Sequence, residues 1–372
     1  MAIFTFTALV DGNVLAAADI NTPLSNAANA TVPVANGGTG LTSGTSGAIP
    51  YFSAATTMAS SSALTQYGIV YGGGAGSAPT AMSALTTGQL LVGTSTAPAA
   101  ISAGTTGQVL IATTSAAPAF GTAPVRGMIQ GLTLSNNGSD ATNDIDIAEG
   151  LACDSTHVMA MALGSAITKR LDAAWAVGTN QGGLDTGSIA NTTYHVWLIK
   201  RSDTGVVDAL FSTSASAPTM PTSYDYKRRI GSIVRSGGAI LAFVQNGILF
   251  QWVTPVLDVN SLAPASTSAV TRTLTVPTGI KVEAGVELMV FGVSITNAGV
   301  LSDLDTTDTA AYVADHAQAI SPNISGTQTF GAAPVNVVTN TSAQIRSRLS
   351  SANATAQISI RTIGWRDYQL RP

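Results

Sequence analysis

Beyond residue 125, apolar and polar positions group into short runs split by glycine and polar clusters. His195-Val-Trp-Leu-Ile-Lys-Arg201 is a nearly continuous apolar strand. It is followed by Ser202-Asp-Thr-Gly205 and a second run, Val206 to Ser212, in the form of a hairpin with a glycine-containing turn. Ile230 to Arg235 and Ala239 to Gln245 flank Ser236-Gly-Gly238 in the same way. Asn246-Gly247 separates Ala239–Gln245 from Ile248-Leu-Phe-Gln-Trp-Val253. Asn-Gly between apolar runs predicts a tight hairpin whose two turn residues both take positive φ. Val270-Thr-Arg-Thr-Leu-Thr-Val-Pro277 alternates with period two, as a half-buried strand does. Glu287 to Thr296 and Ala356 to Trp365 follow the same style, and only Ala166 to Val177 invites a helix. The expectation is all-β and antiparallel: a β-rich domain over 125–255 and a β-sandwich or jelly-roll-like tip over 256–372. Ser261-Leu-Ala-Pro-Ala-Ser-Thr-Ser268 has the composition of a linker between them.

The first third follows another rule. Gly47-Ala-Ile-Pro-Tyr-Phe52, Tyr67-Gly-Ile-Val-Tyr-Gly72, Gly88-Gln-Leu-Leu-Val-Gly93 and Gly107-Gln-Val-Leu-Ile-Ala112 align, with starts 20, 21 and 19 residues apart. The last three are followed by Ala78-Pro79, Ala97-Pro98 and Ala117-Pro118. Each unit reads as an apolar strand, a Gly/Ser/Thr turn and a proline that ends pairing. About 20 residues with few large apolar side chains cannot bury a core alone, so such units need stacking neighbours or partner chains. A flexible Gly/Ser/Thr/Pro linker is the competing reading, and the regular placement of Ile, Val, Leu and Tyr weighs against it.

Charge sharpens this division. Residues 1–125 contain no Lys or Arg, and Asp11 and Asp19 are their only acids. Over the whole chain 10% of residues are charged, far below the roughly 25% of an ordinary soluble domain. The surface must therefore be wetted by Ser, Thr, Asn and Gly. A net charge of −4 offers no basic footprint for nucleic acid. Cys153 is the single cysteine, which excludes an intrachain disulfide and fits a small buried hydrophobe. The N-terminal stretch has no basic region before its apolar residues, so neither a signal peptide nor membrane insertion is expected.

Val32-Pro-Val-Ala-Asn-Gly-Gly-Thr-Gly-Leu-Thr42, followed by units of the form Gly-Gln-Leu-Leu-Val-Gly-Thr-x-x-Ala-Pro, resembles bacteriophage tail-fibre proteins. Phe6 to Asn29, with Ala-Ala-Asp-Ile-Asn21, is similar to the segments that seat fibres on the virion. Ile129 to Trp252 resembles a phage tail domain through Gly131-Leu-Thr-Leu-Ser-Asn-Asn-Gly138 and Lys227-Arg-Arg-Ile-Gly-Ser-Ile-Val-Arg235. The resemblance implies an elongated homotrimeric fibre made in the host cytoplasm. Residues 1–43 would attach it to other tail or baseplate proteins and 44–124 would form the shaft. The C-terminal domains would carry host adsorption, through a surface glycan or an outer-membrane protein.

No catalytic constellation stands out, and no cofactor is expected. His157, His195 and His316 are far apart and none has zinc-type spacing. There is neither a Gly-x-Ser-x-Gly elbow nor a phosphate-binding Gly-x-x-x-x-Gly-Lys loop. Asn137–Asp146 and Ser302–Asp308 gather oxygen ligands of the kind Ca²⁺ favours. Asx turns make such loops without a metal. A polysaccharide depolymerase would need two facing carboxylates that the sequence does not single out. A purely structural connector and a cellular adhesin are further alternatives, the adhesin lacking a visible export signal or anchor. Receptor contact is expected in the polar loop carrying Asp303, Asp305, Asp308, Tyr312 and His316. Trp197, Trp252 and Trp365 fall in strand patterns and are expected in the core.

Overall fold

A computed structural model of the chain describes Val32 and residues 38–113, 116–261 and 267–368. The attachment segment expected over 1–43 falls almost wholly outside the described residues, as do positions 262–266 of the expected linker. The protein is all-β, about 49% strand, with no helix among the described residues. Contacts divide it into two compact units, Met1–Thr122 and Ala123–Pro372.

The first unit contains antiparallel two-stranded hairpins: β1 (Pro50–Ala54) with β2 (Thr57–Ser60), and β3 (Val70–Tyr71) with β4 (Thr80–Ala81). Next come β5 (Leu90–Val92) with β6 (Ala99–Ile101), and β7 (Val109–Thr113) with β8 (Ala116–Gly121). A tight turn precedes each first strand. Its amide-to-carbonyl bonds run from Ala48 to Thr45, Gly68 to Thr65, Gln89 to Thr86 and Gln108 to Thr105. The third turn residue has positive φ in every case: 74° at Gly47, 61° at Tyr67, 80° at Gly88 and 86° at Gly107. That is the type II requirement, met by glycine at three of these positions. Gln89 and Gln108 close their turns a second time, accepting from the Thr86 and Thr105 amides at 2.8 and 2.9 Å. The prolines do not end pairing as expected. Pro79 and Pro98 stand just before β4 and β6, and Pro118 lies within β8 beside a register shift, where a ladder N–H is not required.

The second unit starts with a three-stranded sheet ordered β13-β12-β9, from β9 (Ile129–Gly131), β12 (Gly150–Cys153) and β13 (Ala160–Leu163). Its largest sheet has eight strands. These are β10 (Leu134–Asn136), β11 (Asp144–Ile147), β14 (Ile167–Ala174) and β15 (Gln181–Leu184), then β16 (Thr193–Arg201), β17 (Val207–Ser212), β18 (Tyr224–Ser236) and β19 (Ala239–Ile240). Their order is β10-β11-β14-β15-β17-β16-β18-β19, and against the antiparallel expectation β15 runs parallel to both its neighbours, β14 and β17. A five-stranded sheet, β20-β21-β28-β23-β26, unites β20 (Phe243–Asn246), β21 (Leu249–Ser261), β23 (Glu283–Val293), β26 (Gln328–Val338) and β28 (Gln357–Arg366). A four-stranded sheet, β22-β27-β24-β25, holds β22 (Val270–Thr273), β24 (Asn297–Ser302), β25 (Ala319–Ser321) and β27 (Gln344–Leu349). The last two sheets face each other. A Cβ on Gly299 of β24 would sit 2.4 Å from Val290 of β23.

Three local expectations are corrected. The helix invited by Ala166–Val177 is strand β14, whose inward positions include Lys169 and Leu171. At the Asn-Gly hairpin, Asn246 pairs with Leu249, so Gly247 and Ile248 are the turn residues. Only Gly247 of the two has positive φ, 60°, as when glycine alone supplies the left-handed step. The division expected at 255/256 falls inside β21, which pairs with both β20 and β28. One hydrophobic core joins the two stretches: Leu134, Val196 and Ile233 belong to the same buried cluster as Leu288, Ile345 and Trp365. Trp197, Trp252 and Trp365 are all buried.

Lys169 is fully buried, which polar/apolar patterning does not anticipate. Its ammonium lies 3.2 Å from Asp208 Oδ1, donates to the carbonyls of Ala176 and Gly178 at 2.7 and 3.3 Å, and sits 5.5 Å from the Trp175 ring centre. Burial pushes its pKa down while Asp208 holds it up. Asp208→Ala strands this charge in the core and is expected to cost about 3–5 kcal/mol, read by denaturant unfolding. Lys169→Met with Asp208→Leu removes both charges and is expected to cost clearly less. Equal losses would mean that the pairing is not what matters there.

Candidate functional site

The loop after β24 carries the five residues singled out from the sequence, and the three carboxylates among them are already engaged. Asp303 Oδ1 accepts from the amides of Asp305 and Thr306 at 3.0 and 2.7 Å, an Asx turn. Asp305 pairs with Lys281 at 2.5 Å. Asp308 lies 2.9 Å from Arg348 and 3.7 Å from Arg346, both on β27. Those arginines also bind main chain: Arg346 donates to Thr306 O and Arg348 to Thr267 O. The loop is thus held against the four-stranded sheet by charge-assisted bonds.

Tyr312 and His316 are brought together. Their main chains exchange both hydrogen bonds, 2.8 and 3.0 Å, in an isolated antiparallel bridge, which sets their side chains side by side. His316 Nδ1 lies 2.9 Å from the Ala310 carbonyl. Tyr312 is 61% exposed. The arrangement therefore offers an aromatic surface with a neighbouring imidazole, while Asp303, Asp305 and Asp308 serve the loop itself.

The acidic loop at 137–146 closes its own Asx turns, while Asp144 Oδ1 is buried without a hydrogen-bond partner among the described residues. Asn137 Oδ1 accepts from the Ser139 and Asp140 amides at 2.8 and 3.0 Å, and Asp140 Oδ1 from those of Thr142 and Asn143 at 3.0 and 3.2 Å. Asp144 is pushed above the usual carboxylate range by burial and then by Asp140 and Asp172. Among the described residues, no group of three or more His, Cys, Asp or Glu is placed to hold a metal ion. Cys153 is buried, and burial raises its thiol pKa, which suppresses the reactive thiolate.

Sequence reasoning missed a buried polar cluster. Arg229 makes a two-pronged ion pair with Asp367 at 2.5 and 3.1 Å, and donates to Ser232 Oγ at 3.3 Å. His195 Nδ1 lies 2.9 Å from the same hydroxyl. The imidazole and Ser232 are fully buried, and Gly279 packs against the other ring edge. The alternation of β16 hid this, because the strand is buried on both faces. The pairing of charged residues 138 positions apart lets Asp367 stay inside. A hydroxyl beside an imidazole could suggest a nucleophile, but a seryl oxygen buried against a guanidinium has no route to a substrate. No protein-family model and no curated protein matches this chain.

Burial, then the Arg229 charge, push the His195 pKa down to about 4, opposed by the main chain at Thr278. The unfolded chain, with an ordinary histidine value near 6.5, takes its proton first as pH falls. Stability from this residue is therefore complete above pH 6.5 and lost between about 6.5 and 4, by about 3 kcal/mol in total. His195→Asn is expected to flatten the fall in unfolding free energy over that interval. Parallel curves for the two proteins would show that the imidazole does not carry it.

Proposed function

We propose that this chain is a structural virion protein, a bacteriophage tail fibre that adsorbs the particle to its bacterial host. The observation that carries the reading is the open apolar surface of the four hairpins. Phe52, Val70, Leu90, Leu91, Val109 and Leu110 are each more than one-third exposed. Leu90 and Leu91 are adjacent in β5 and point to opposite faces, so that hairpin is open on both sides. A two-stranded hairpin is marginal alone in water, and no charge from residue 20 to residue 125 keeps these faces apart. Self-association answers both problems, and the tail-fibre-like Gly/Thr/Ala-Pro units lie in the same stretch. On this reading 1–43 attaches to the virion, 44–124 becomes an ordered shaft within a homotrimer, and the sandwich-like end of the chain faces the cell. Tyr312 and His316, framed by the braced Asp303, Asp305 and Asp308, are the proposed receptor contacts of the loop.

Light scattering on the intact chain should give three times the 37.5 kDa chain mass. A monomer would remove the shaft from the proposal. Fluorescently labelled full-length protein should also bind a susceptible strain within a panel of bacteria, saturably and with competition by unlabelled protein. Properly assembled protein that binds no strain would favour a connector within the tail.

A further inference from the structure

One glycine of the five-stranded sheet stands apart from the others. Glycine weakens a strand interior and usually marks close approach by another group. That holds at Gly182, Gly183, Gly231, Gly292, Gly299, Gly331 and Gly364, where a Cβ would lie 1.9–2.7 Å from a neighbouring atom. At Gly285, near the start of β23, a Cβ would meet nothing nearer than Asn336 Oδ1 at 3.7 Å and the Gly364 carbonyl at 3.9 Å. Its φ lies outside the left-handed region. Neither packing nor backbone conformation requires glycine there. What its missing side chain does produce is space.

Gly285 pairs directly with Gly364 of β28, which pairs in turn with Gln251 of β21. Register shifts beside these pairs bulge both interfaces, and Ile363 is the extra residue between the pairs made by Thr362 and Gly364. The result is a cavity of about 160 Å³. The two glycines form its floor, and Gln251, Asn336, Pro334 and Arg366 are among its walls. Gln251 and Asn336 are exposed, and their carboxamides make no side-chain hydrogen bond among the described residues. At one end Arg366 donates to Glu283 Oε1 at 2.7 Å, and Tyr368 donates to Glu283 Oε2 at 3.0 Å. This network fixes the rim.

The chemistry selects a ligand class. The volume is well below the roughly 300 Å³ at which pockets for drug-sized molecules begin, so it can enclose a single small ring but not a whole nucleotide or large cofactor. Two free carboxamides, each both donor and acceptor, suit vicinal hydroxyls, which are also both. The flat glycine floor admits a ring close to the backbone, and Pro334 and Ile363 provide apolar edges for its C–H faces. We infer that the Gly285–Gly364 trough is a carbohydrate subsite, which takes one sugar ring of a bacterial surface polysaccharide whose neighbouring units run across the open sheet. The inference rests on the receptor-binding reading above, and places a contact on the five-stranded sheet as well as the 303–316 loop.

Gly285→Val fills the trough with a side chain that strands favour, and the open space around the position lets it fold. The test uses full-length protein against immobilised lipopolysaccharide, O-antigen and capsular oligosaccharides, alongside whole-cell binding. Wild type should bind at least one glycan. Gly285→Val should lose at least tenfold in affinity with unchanged melting temperature and oligomeric mass, and Asn336→Ala and Gln251→Ala should each lose about five- to tenfold. Equal glycan binding by wild type and Gly285→Val would overturn the trough and leave receptor binding standing. So would cell binding with no glycan bound, which would point to a protein receptor. A changed oligomeric mass in Gly285→Val would also overturn it, since the face would then lie between copies. Binding to neither cells nor glycans would remove the receptor-binding reading and the trough with it.

Discussion

Trp365 of β28 lies flat on Phe250 of β21, with ring centres 4.8 Å apart and planes inclined by 5°. Trp252 tilts against the same indole at 4.7 Å and Phe243 against Phe250 at 5.8 Å. The rest of the second unit depends on this aromatic stack. β21 enters from the side of the chain that builds the eight-stranded sheet, and β28 is the last strand among the described residues. Burying their aromatic faces together joins the early β20–β21 hairpin to β28 within the five-stranded sheet. It also aligns the register at Gln251, Gly364 and Gly285 that opens the trough. Offset and tilted ring pairs contribute about 0.5–1.5 kcal/mol each beyond area burial. Asp367, two residues past Trp365, then reaches Arg229 and ties the chain end to β18.

What could be read in the sequence was the local part of this arrangement. Val206–Ser212 pairs with the His195–Arg201 run because both strands and their turn lie within 18 residues, where hydrophobic pattern and glycine chemistry act together. The period-two run Val270–Thr273 is a strand for the same reason. Patterning fails where a charge is buried. Lys169 occupies an inward position of β14 only because Asp208, 39 residues on, neutralises it, and a polar residue inside a short apolar segment mimics another period. The domain division failed similarly. Linker-like composition was legible near 261–268, but the pairing of β21 with β28 spans about 100 residues and leaves no local mark.

The candidate site was half legible. A long polar loop with Tyr312 and His316 can be seen in the sequence, and the structure sets these two side by side. That Asp305 and Asp308 serve Lys281, Arg346 and Arg348 could not be seen, because those partners lie 24 to 40 residues away. Composition suggested three recognition carboxylates. Geometry leaves them as braces and shifts the available chemistry to the aromatic ring. The trough was illegible for another reason: a glycine whose use is empty space looks like one required by a turn until its neighbours are known.

The same distinction bears on the first unit. At Gly47, Gly88 and Gly107 glycine supplies positive φ, and at Tyr67 a non-glycine residue holds the same conformation at about 1–2 kcal/mol. The fifth such turn, Val125 to Met128 with Gly127 at 70°, opens the second unit, where the strand that follows joins a three-stranded sheet with a buried core. An identical turn therefore launches either an open hairpin or a covered strand. The turn does not decide which; the supply of apolar partners does. In the second unit the chain provides them itself. In the first, uncharged from residue 20 onward and open on both faces of β5, it does not. Association there would be steered by no charge, and its register would rest on the 19–21-residue spacing of the turns, which every copy of the chain presents alike.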